Sequence, residues 1–84
     1  MSAHVVIYTT ATCPYCVQAK ALLDKKHVTY QEIRVDTDPT ALQDMMTKSG
    51  RRTVPQIFIN DKSMGGCDDL YQLDKDGKLD GLLA

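Results

Sequence analysis

Thr12-Cys13-Pro14-Tyr15-Cys16 decides the fold, because it joins a β-branched run to an amphipathic one. On its N-terminal side, His4-Val5-Val6-Ile7-Tyr8 has the composition of a buried strand. On its C-terminal side, Cys16, Ala19, Leu22 and Leu23 recur at helical spacing. Gln18, Lys20, Lys25 and Lys26 fall mostly on the opposite side. Proline is favoured at the first helical position, where its missing N–H would have had no partner. That predicts Cys13 as the N-cap and Cys16 as the third helical residue, with the two sulfurs about one turn apart. The Cys13 sulfur then takes the place of a capping oxygen and meets the helix's free N–H groups. A thiolate there also feels the positive end of the helix dipole. Thiols so placed have pKa values lowered from about 8.5 to roughly 3.5–7.5. Cys16, one turn further in, is expected to be less exposed. One sulfur is placed to attack and the other to resolve.

Working outward, Val28-Thr29-Tyr30-Gln31-Glu32-Ile33-Arg34-Val35 alternates like a strand. Two strands joined by one helix predict a parallel pair with a right-handed crossover. Asp38 caps a second helix with Pro39 in its first position; Ala41, Leu42, Met45 and Met46 form its apolar stripe, and Ser49-Gly50 ends it. Gln56-Ile57-Phe58-Ile59 reads as a third strand, Asn60-Asp61 as a tight turn, and Lys62-Ser63-Met64 as the returning arm of a hairpin. Gly65-Gly66 breaks that arm, and Cys67-Asp68-Asp69 opens a third helix, with Leu70, Tyr71 and Leu73 expected to face inward. Leu79, Leu82 and Leu83 suggest a last turn that packs back. The order β-α-β-α-β-β-α predicts an α/β fold, a four-stranded mixed sheet flanked by helices.

The 84 residues are enough for one domain, spanning 1–84. Such a chain buries only about 60% or a little more of its unfolded surface, so the core must be simple. Ten basic and eleven acidic residues are interspersed to a net charge of −1, which gives no footprint for nucleic acid or an anionic membrane. No apolar run approaches the roughly 20 residues of a membrane span. Met1-Ser2-Ala3-His4 lacks the basic segment and apolar core of a signal peptide. The expected location is the cytoplasm. Three cysteines are too few for a disulfide scaffold. A structural zinc site would need two further ligands from Cys67, His4 and His27, none of which belongs to a second paired motif.

Three patterns then coincide: Cys13-Pro14-Tyr15-Cys16, Thr53-Val54-Pro55 and Gly65-Gly66-Cys67-Asp68-Asp69-Leu70. Together, at this spacing, they resemble the glutaredoxins, in particular the small bacterial dithiol type. The resemblance implies a thioredoxin-like fold in which the three segments converge on the Cys13 sulfur. It also implies a cis Val54–Pro55 bond, a state that only about 5–6% of such bonds adopt. The implied activity is glutathione-dependent thiol–disulfide exchange with Cys13 and Cys16 as catalytic residues. Protein disulfides and glutathione mixed disulfides would be substrates, ribonucleotide reductase among the partners.

The same resemblance implies a glutathione pocket. The N–H groups of Cys67 and Asp68 would take the γ-glutamyl carboxylate, and the Asp68 side chain the ammonium. Arg52 would pair with the glycyl carboxylate and Val54 with the cysteinyl backbone, while Tyr15, Thr53, Pro55 and Gly66 complete the groove. Glutathione is thus the expected co-substrate, no metal is expected, and the chain is expected to act as a monomer. One departure stands out: many glutaredoxins carry a lysine where this chain has Thr10, which shifts the expected load onto Arg52. Rival readings are a redoxin reduced by thioredoxin reductase and a [2Fe–2S] carrier using Cys13 from two subunits. The bland readings are a semi-buried helix-start residue for Cys67, core filling for Met45, Met46 and Met64, and edge or loop positions for His4 and His27. Lys25-Lys26 reads as a solvated helix end.

Overall fold

Strand β1 (Val5–Thr9) lies inside the sheet, where its apolar composition suits it, with Val5, Ile7, Tyr8 and Thr9 all buried. It pairs in parallel with β2 (Tyr30–Arg34) and antiparallel with β3 (Gln56–Ile59). β4 (Lys62–Gly65) closes the order β2-β1-β3-β4 through a hairpin whose turn residues, Asn60 and Asp61, both have positive φ (52° and 68°). The computed structural model describes residues 3–83. Met1 and Ser2 of the expected leader-free start, and Ala84 of the expected domain, lie outside the described residues.

Alternation along the strands sends side chains to two faces. Val5, Ile7, Ile57 and Ile59 pack against helix α1 (Pro14–Lys25), α3 (Cys67–Lys75) and α4 (Leu79–Leu83), through Ala19, Leu22, Leu23, Leu70, Leu79 and Leu83. Tyr8 and Phe58 face the other way, edge to face at 5.6 Å, and meet Ala41 and Met45 of α2 (Pro39–Ser49). The Asp38 carboxylate accepts from the N–H groups of Thr40 and Ala41 at 3.0 and 3.2 Å, which starts α2 as the sequence predicts. Gly50, at φ +71°, ends it in the left-handed conformation that glycine tolerates.

Three expectations need correction. The second strand is shorter than Val28–Val35, because the Val28 N–H turns back to the Leu23 carbonyl and belongs to the end of α1. Tyr71 is exposed rather than inward-facing; its phenol has a polar tip to satisfy, and its hydroxyl donates to the Gln18 carbonyl at 3.0 Å across the α1–α3 seam. Lys26 is not merely solvated: its ammonium lies 2.6 Å from Asp74 and 3.0 Å from Asp80, joining the end of α1 to α3 and α4. These two carboxylates raise the Lys26 pKa.

Leu23 is fully buried between β1 and the helical layer, whereas Val17 is 62% exposed on the same helix. Leu23→Ala is expected to cost about 2–5 kcal/mol in urea unfolding. Val17→Ala should stay within about 0.5 kcal/mol. Equal costs would contradict this assignment of the core.

Candidate functional site

Topology brings three loops to one end of the sheet. β1 runs toward Cys13, and its antiparallel partner β3 starts where β1 finishes, with Tyr8 opposite Gln56. The Thr53–Pro55 segment just before β3 therefore lies beside the Cys13 turn. β4 returns antiparallel along β3, with Gly65 opposite Ile57, and so delivers the start of α3 to the same place.

Cys13 is the N-cap of α1, at φ −126° and ψ 100°, and its Sγ accepts from the Cys16 N–H at 3.1 Å. Cys13 is partly exposed and Cys16 is buried at 1%, the asymmetry that an attacking and a resolving sulfur require. The two form a disulfide with their Cα atoms 5.2 Å apart. The Cys13 sulfur lies 3.8 Å from the Val54 carbonyl oxygen. This is a contact rather than a hydrogen bond, since a disulfide sulfur carries no proton. The Val54–Pro55 bond is cis, as the resemblance implies.

The turn ahead of Cys13 is tied down by carboxylates on the β2 side. The Thr9 hydroxyl donates to Glu32 at 2.7 Å and Lys20 to the same oxygen at 3.1 Å; the Thr9 bond is the main cause of the lowered Glu32 pKa. The Ala11 N–H donates to Asp36 at 3.1 Å, while Arg34 forks onto both Asp36 oxygens at 2.8 and 2.6 Å. Arg34 first, with the Ala11 N–H assisting, holds the Asp36 carboxyl down to about 2. Thr10, at the departure from the family pattern, brings no charge to this turn.

A groove of about 190 Å³ runs beside Cys13 toward the start of α3. Tyr15, Thr53, Val54, Pro55, Gly66, Cys67 and Asp68, all predicted for the pocket, line it. Arg52, also predicted, is exposed and does not. Arg51 does, together with Asp69. Arg51 donates to the Asp69 carboxylate at 3.1 Å, and the Gly66 N–H donates to the same oxygen at 3.0 Å. Gly66 has no side chain to cap α3 in return, so Asp69 supplies half of a capping box by itself. Two adjacent arginines in an irregular loop gave no sign of which one would face inward. The glycine-to-aspartate spacing of a cap could have singled out Asp69. Gly65, at φ +85°, could not carry a side chain, because a Cβ would strike the Asp69 carboxylate.

Cys67 is buried, and burial followed by the Asp68 charge pushes its thiol pKa up. It lines the groove as a protonated thiol near neutrality, in keeping with a mainly backbone role. Gln56 is a second residue that sequence reading passed over, as part of an apolar strand. It is fully buried, donates to the Thr53 carbonyl at 2.9 Å and hydroxyl at 3.2 Å, and leaves its own Oε1 without a partner. Such an acceptor typically costs about 1–3 kcal/mol. Among the described residues, no three His, Cys, Asp or Glu side chains are grouped to hold a metal ion.

The family model described as Glutaredoxin matches residues 5–64. Glutaredoxin 3 of Escherichia coli (strain K12) is 56% identical over 81 residues, covering 96% of this chain and 98% of that protein. The crystal structure of a buckwheat glutaredoxin–glutathione complex superposes with a TM-score of 0.88 at 33% identity, over 96% of this chain and 76% of that one. A structure described as "Metal Binding of Glutaredoxins" is similar at TM-score 0.75 and 49% identity, over 98% of this chain and 89% of that one.

The Gly66 N–H first, then Arg51, lowers the Asp69 pKa in the folded chain. A carboxyl depressed on folding stabilises fully above its unfolded pKa, about 3.9, and loses that contribution as pH falls through the folded value. Asp69→Ala is therefore expected to be less stable than wild type at pH 7 by about 1 kcal/mol, the size of a lost cap at a solvent-screened position. The gap should begin to close as pH falls below about 3.9 in urea titrations and shrink further as the folded carboxyl protonates. A gap independent of pH would contradict this role.

Proposed function

The chain belongs to the glutaredoxin family and is a thiol–disulfide oxidoreductase, and from that premise we propose that glutathione is its reductant and that the groove beside Cys13 is where glutathione binds. The observation that supports this most is the groove itself. It joins the first turn of α3 to Val54, whose carbonyl oxygen lies 3.8 Å from the Cys13 sulfur. The Val54 N–H has no backbone partner among the described residues, and it suits the cysteinyl backbone of an extended ligand. The N–H groups of Cys67 and Asp68 belong to a helix's first turn, where none has an intrahelical acceptor, and they suit a carboxylate. Asp68 suits the ammonium, Tyr15, Thr53, Pro55 and Gly66 shape the walls, and Arg52, exposed in the same loop, is assigned the second carboxylate.

In the reaction, the reduced Cys13 thiolate attacks one sulfur of a substrate disulfide. A Cys13–substrate disulfide forms, the old bond breaks and the other sulfur leaves as a thiolate. The cap geometry lowers the cost of charge on Cys13 before attack and again when Cys13 leaves. Cys16 can then attack Cys13, freeing reduced substrate and closing the Cys13–Cys16 disulfide, which two glutathiones reopen. When the substrate is itself glutathionylated, Cys13 keeps the glutathionyl group and a second glutathione removes it as glutathione disulfide. Only the first route needs Cys16. Protein disulfides such as that of ribonucleotide reductase, and work in the cytoplasm, belong to the same reading.

A second reading draws on the metal-binding neighbour: two copies could share a metal cluster through Cys13. A coloured dimer after anaerobic iron–sulfur reconstitution would favour it.

The primary reading is tested with a small glutathione mixed disulfide, glutathione and glutathione reductase. Wild type is expected to turn over, and Cys13→Ser to lose essentially all activity. Cys16→Ser should keep the mixed-disulfide reaction while losing reduction of a protein disulfide. Wild-type turnover with thioredoxin reductase but none with glutathione would overturn the glutathione assignment.

A further inference from the structure

We propose that Gln56 is a positioning residue for thiol–disulfide exchange, its buried side-chain amide holding the Thr53–Pro55 loop in the shape the substrate meets beside Cys13. Gln56 opens β3 and is wholly buried, and the three residues after it, Ile57, Phe58 and Ile59, are buried and apolar. Its Oε1 is buried with no hydrogen-bond partner. An isolated buried acceptor opposes folding, and an apolar side chain of the same length would avoid that penalty. Stability alone therefore does not explain an amide at this position.

The donor end of the same amide explains it. The two hydrogens of Nε2 reach both acceptors of Thr53, the carbonyl at 2.9 Å and the hydroxyl at 3.2 Å. Binding both acceptors fixes the Thr53 peptide and its side chain together, with the carbonyl held toward the interior. The next residue, Val54, then presents its own carbonyl 3.8 Å from the Cys13 sulfur, and Thr53, Val54 and Pro55 together form one wall of the groove. Gln56 itself does not line that groove. It acts through Thr53, by ordering the wall before substrate arrives so that binding does not have to. Freeing the wall should weaken substrate capture and leave the sulfur chemistry at Cys13 nearly unchanged. The inference uses the exchange reaction at Cys13 and does not require glutathione to be the reductant.

The test mixes reduced wild type, Gln56→Met and Gln56→Glu in single turnover with a cysteinyl-peptide–glutathione mixed disulfide. Release of free thiol is followed against disulfide concentration, and thermal unfolding of each protein is recorded. Gln56→Met keeps the side-chain length without the amide, and its unfolding temperature is expected to equal or exceed that of wild type. Its half-saturating concentration should rise roughly three- to tenfold, the factor that one or two lost neutral hydrogen bonds give. Its plateau rate should stay within about twofold of wild type. Greater stability combined with weaker capture is an outcome that a purely structural role does not produce. An unchanged half-saturation in a folded Gln56→Met protein would overturn the proposal. If that variant does not fold, Gln56→Glu is read in its place by the same criterion. Failure of both to fold would also overturn it, because the proposal holds that the fold does not need this amide. A wild type that releases no thiol would instead remove Cys13 as the nucleophile, and the role of Gln56 with it.

Discussion

The Cys16 N–H donates to the Cys13 sulfur at 3.1 Å, and the rest of the molecule is arranged so that this bond forms where a substrate can reach it. The bond exists because Pro14 starts α1 immediately after Cys13, leaving the sulfur to satisfy a helix N–H that would otherwise face water. A neutral thiol accepts weakly, whereas a thiolate accepts strongly and also gains from the dipole. Reactivity at Cys13 is thus a consequence of where the helix begins, and no neighbouring base is required. The burial of Cys16 separates the two roles, since only Cys13 meets solvent and substrate.

Placing that cap beside a binding surface falls to the sheet. Because β3 is antiparallel to β1 and β4 antiparallel to β3, three loops distant in sequence meet at one end without any long connection. Each loop is then restrained by a different device. Asp36 and Glu32 secure the turn before Cys13, Gln56 secures the cis-proline loop, and Asp69 ties the start of α3 to Arg51. Each device binds at least one backbone group (the Ala11 N–H, the Thr53 carbonyl or the Gly66 N–H), so what they fix is the path of the chain around the groove. Two apolar layers on either face of the sheet carry the stability, which leaves the loop end free to be polar.

Most of the architecture could be read from local pattern. Pro14 and Pro39 each announced a helix start, Asn60-Asp61 a tight turn, and the β-branched composition of His4–Tyr8 a buried strand. Legibility failed where a side chain's partner lies far along the chain. Nothing near Lys26 announces Asp74 and Asp80, and nothing near Tyr71 announces the Gln18 carbonyl. The choice between Arg51 and Arg52 depends on Asp69, many residues away, and local charge is the same for both. Gln56 was hidden for a different reason: inside an apolar run it reads as noise, and only its burial and its hold on Thr53 give it meaning. The cis bond before Pro55 came from the resemblance, because no property of Val-Pro alone selects that isomer.

The most direct test is the pH dependence of alkylation at Cys13 in the fully reduced protein, resolved from Cys16 and Cys67 by peptide mass spectrometry. If the helix start activates this sulfur, Cys13 should react with a midpoint at or below about 7.5. Cys67, whose burial raises its pKa, should react only above the ordinary thiol value of about 8.5. A Cys13 midpoint at or above about 8.5 would contradict the claim that the cap makes the nucleophile.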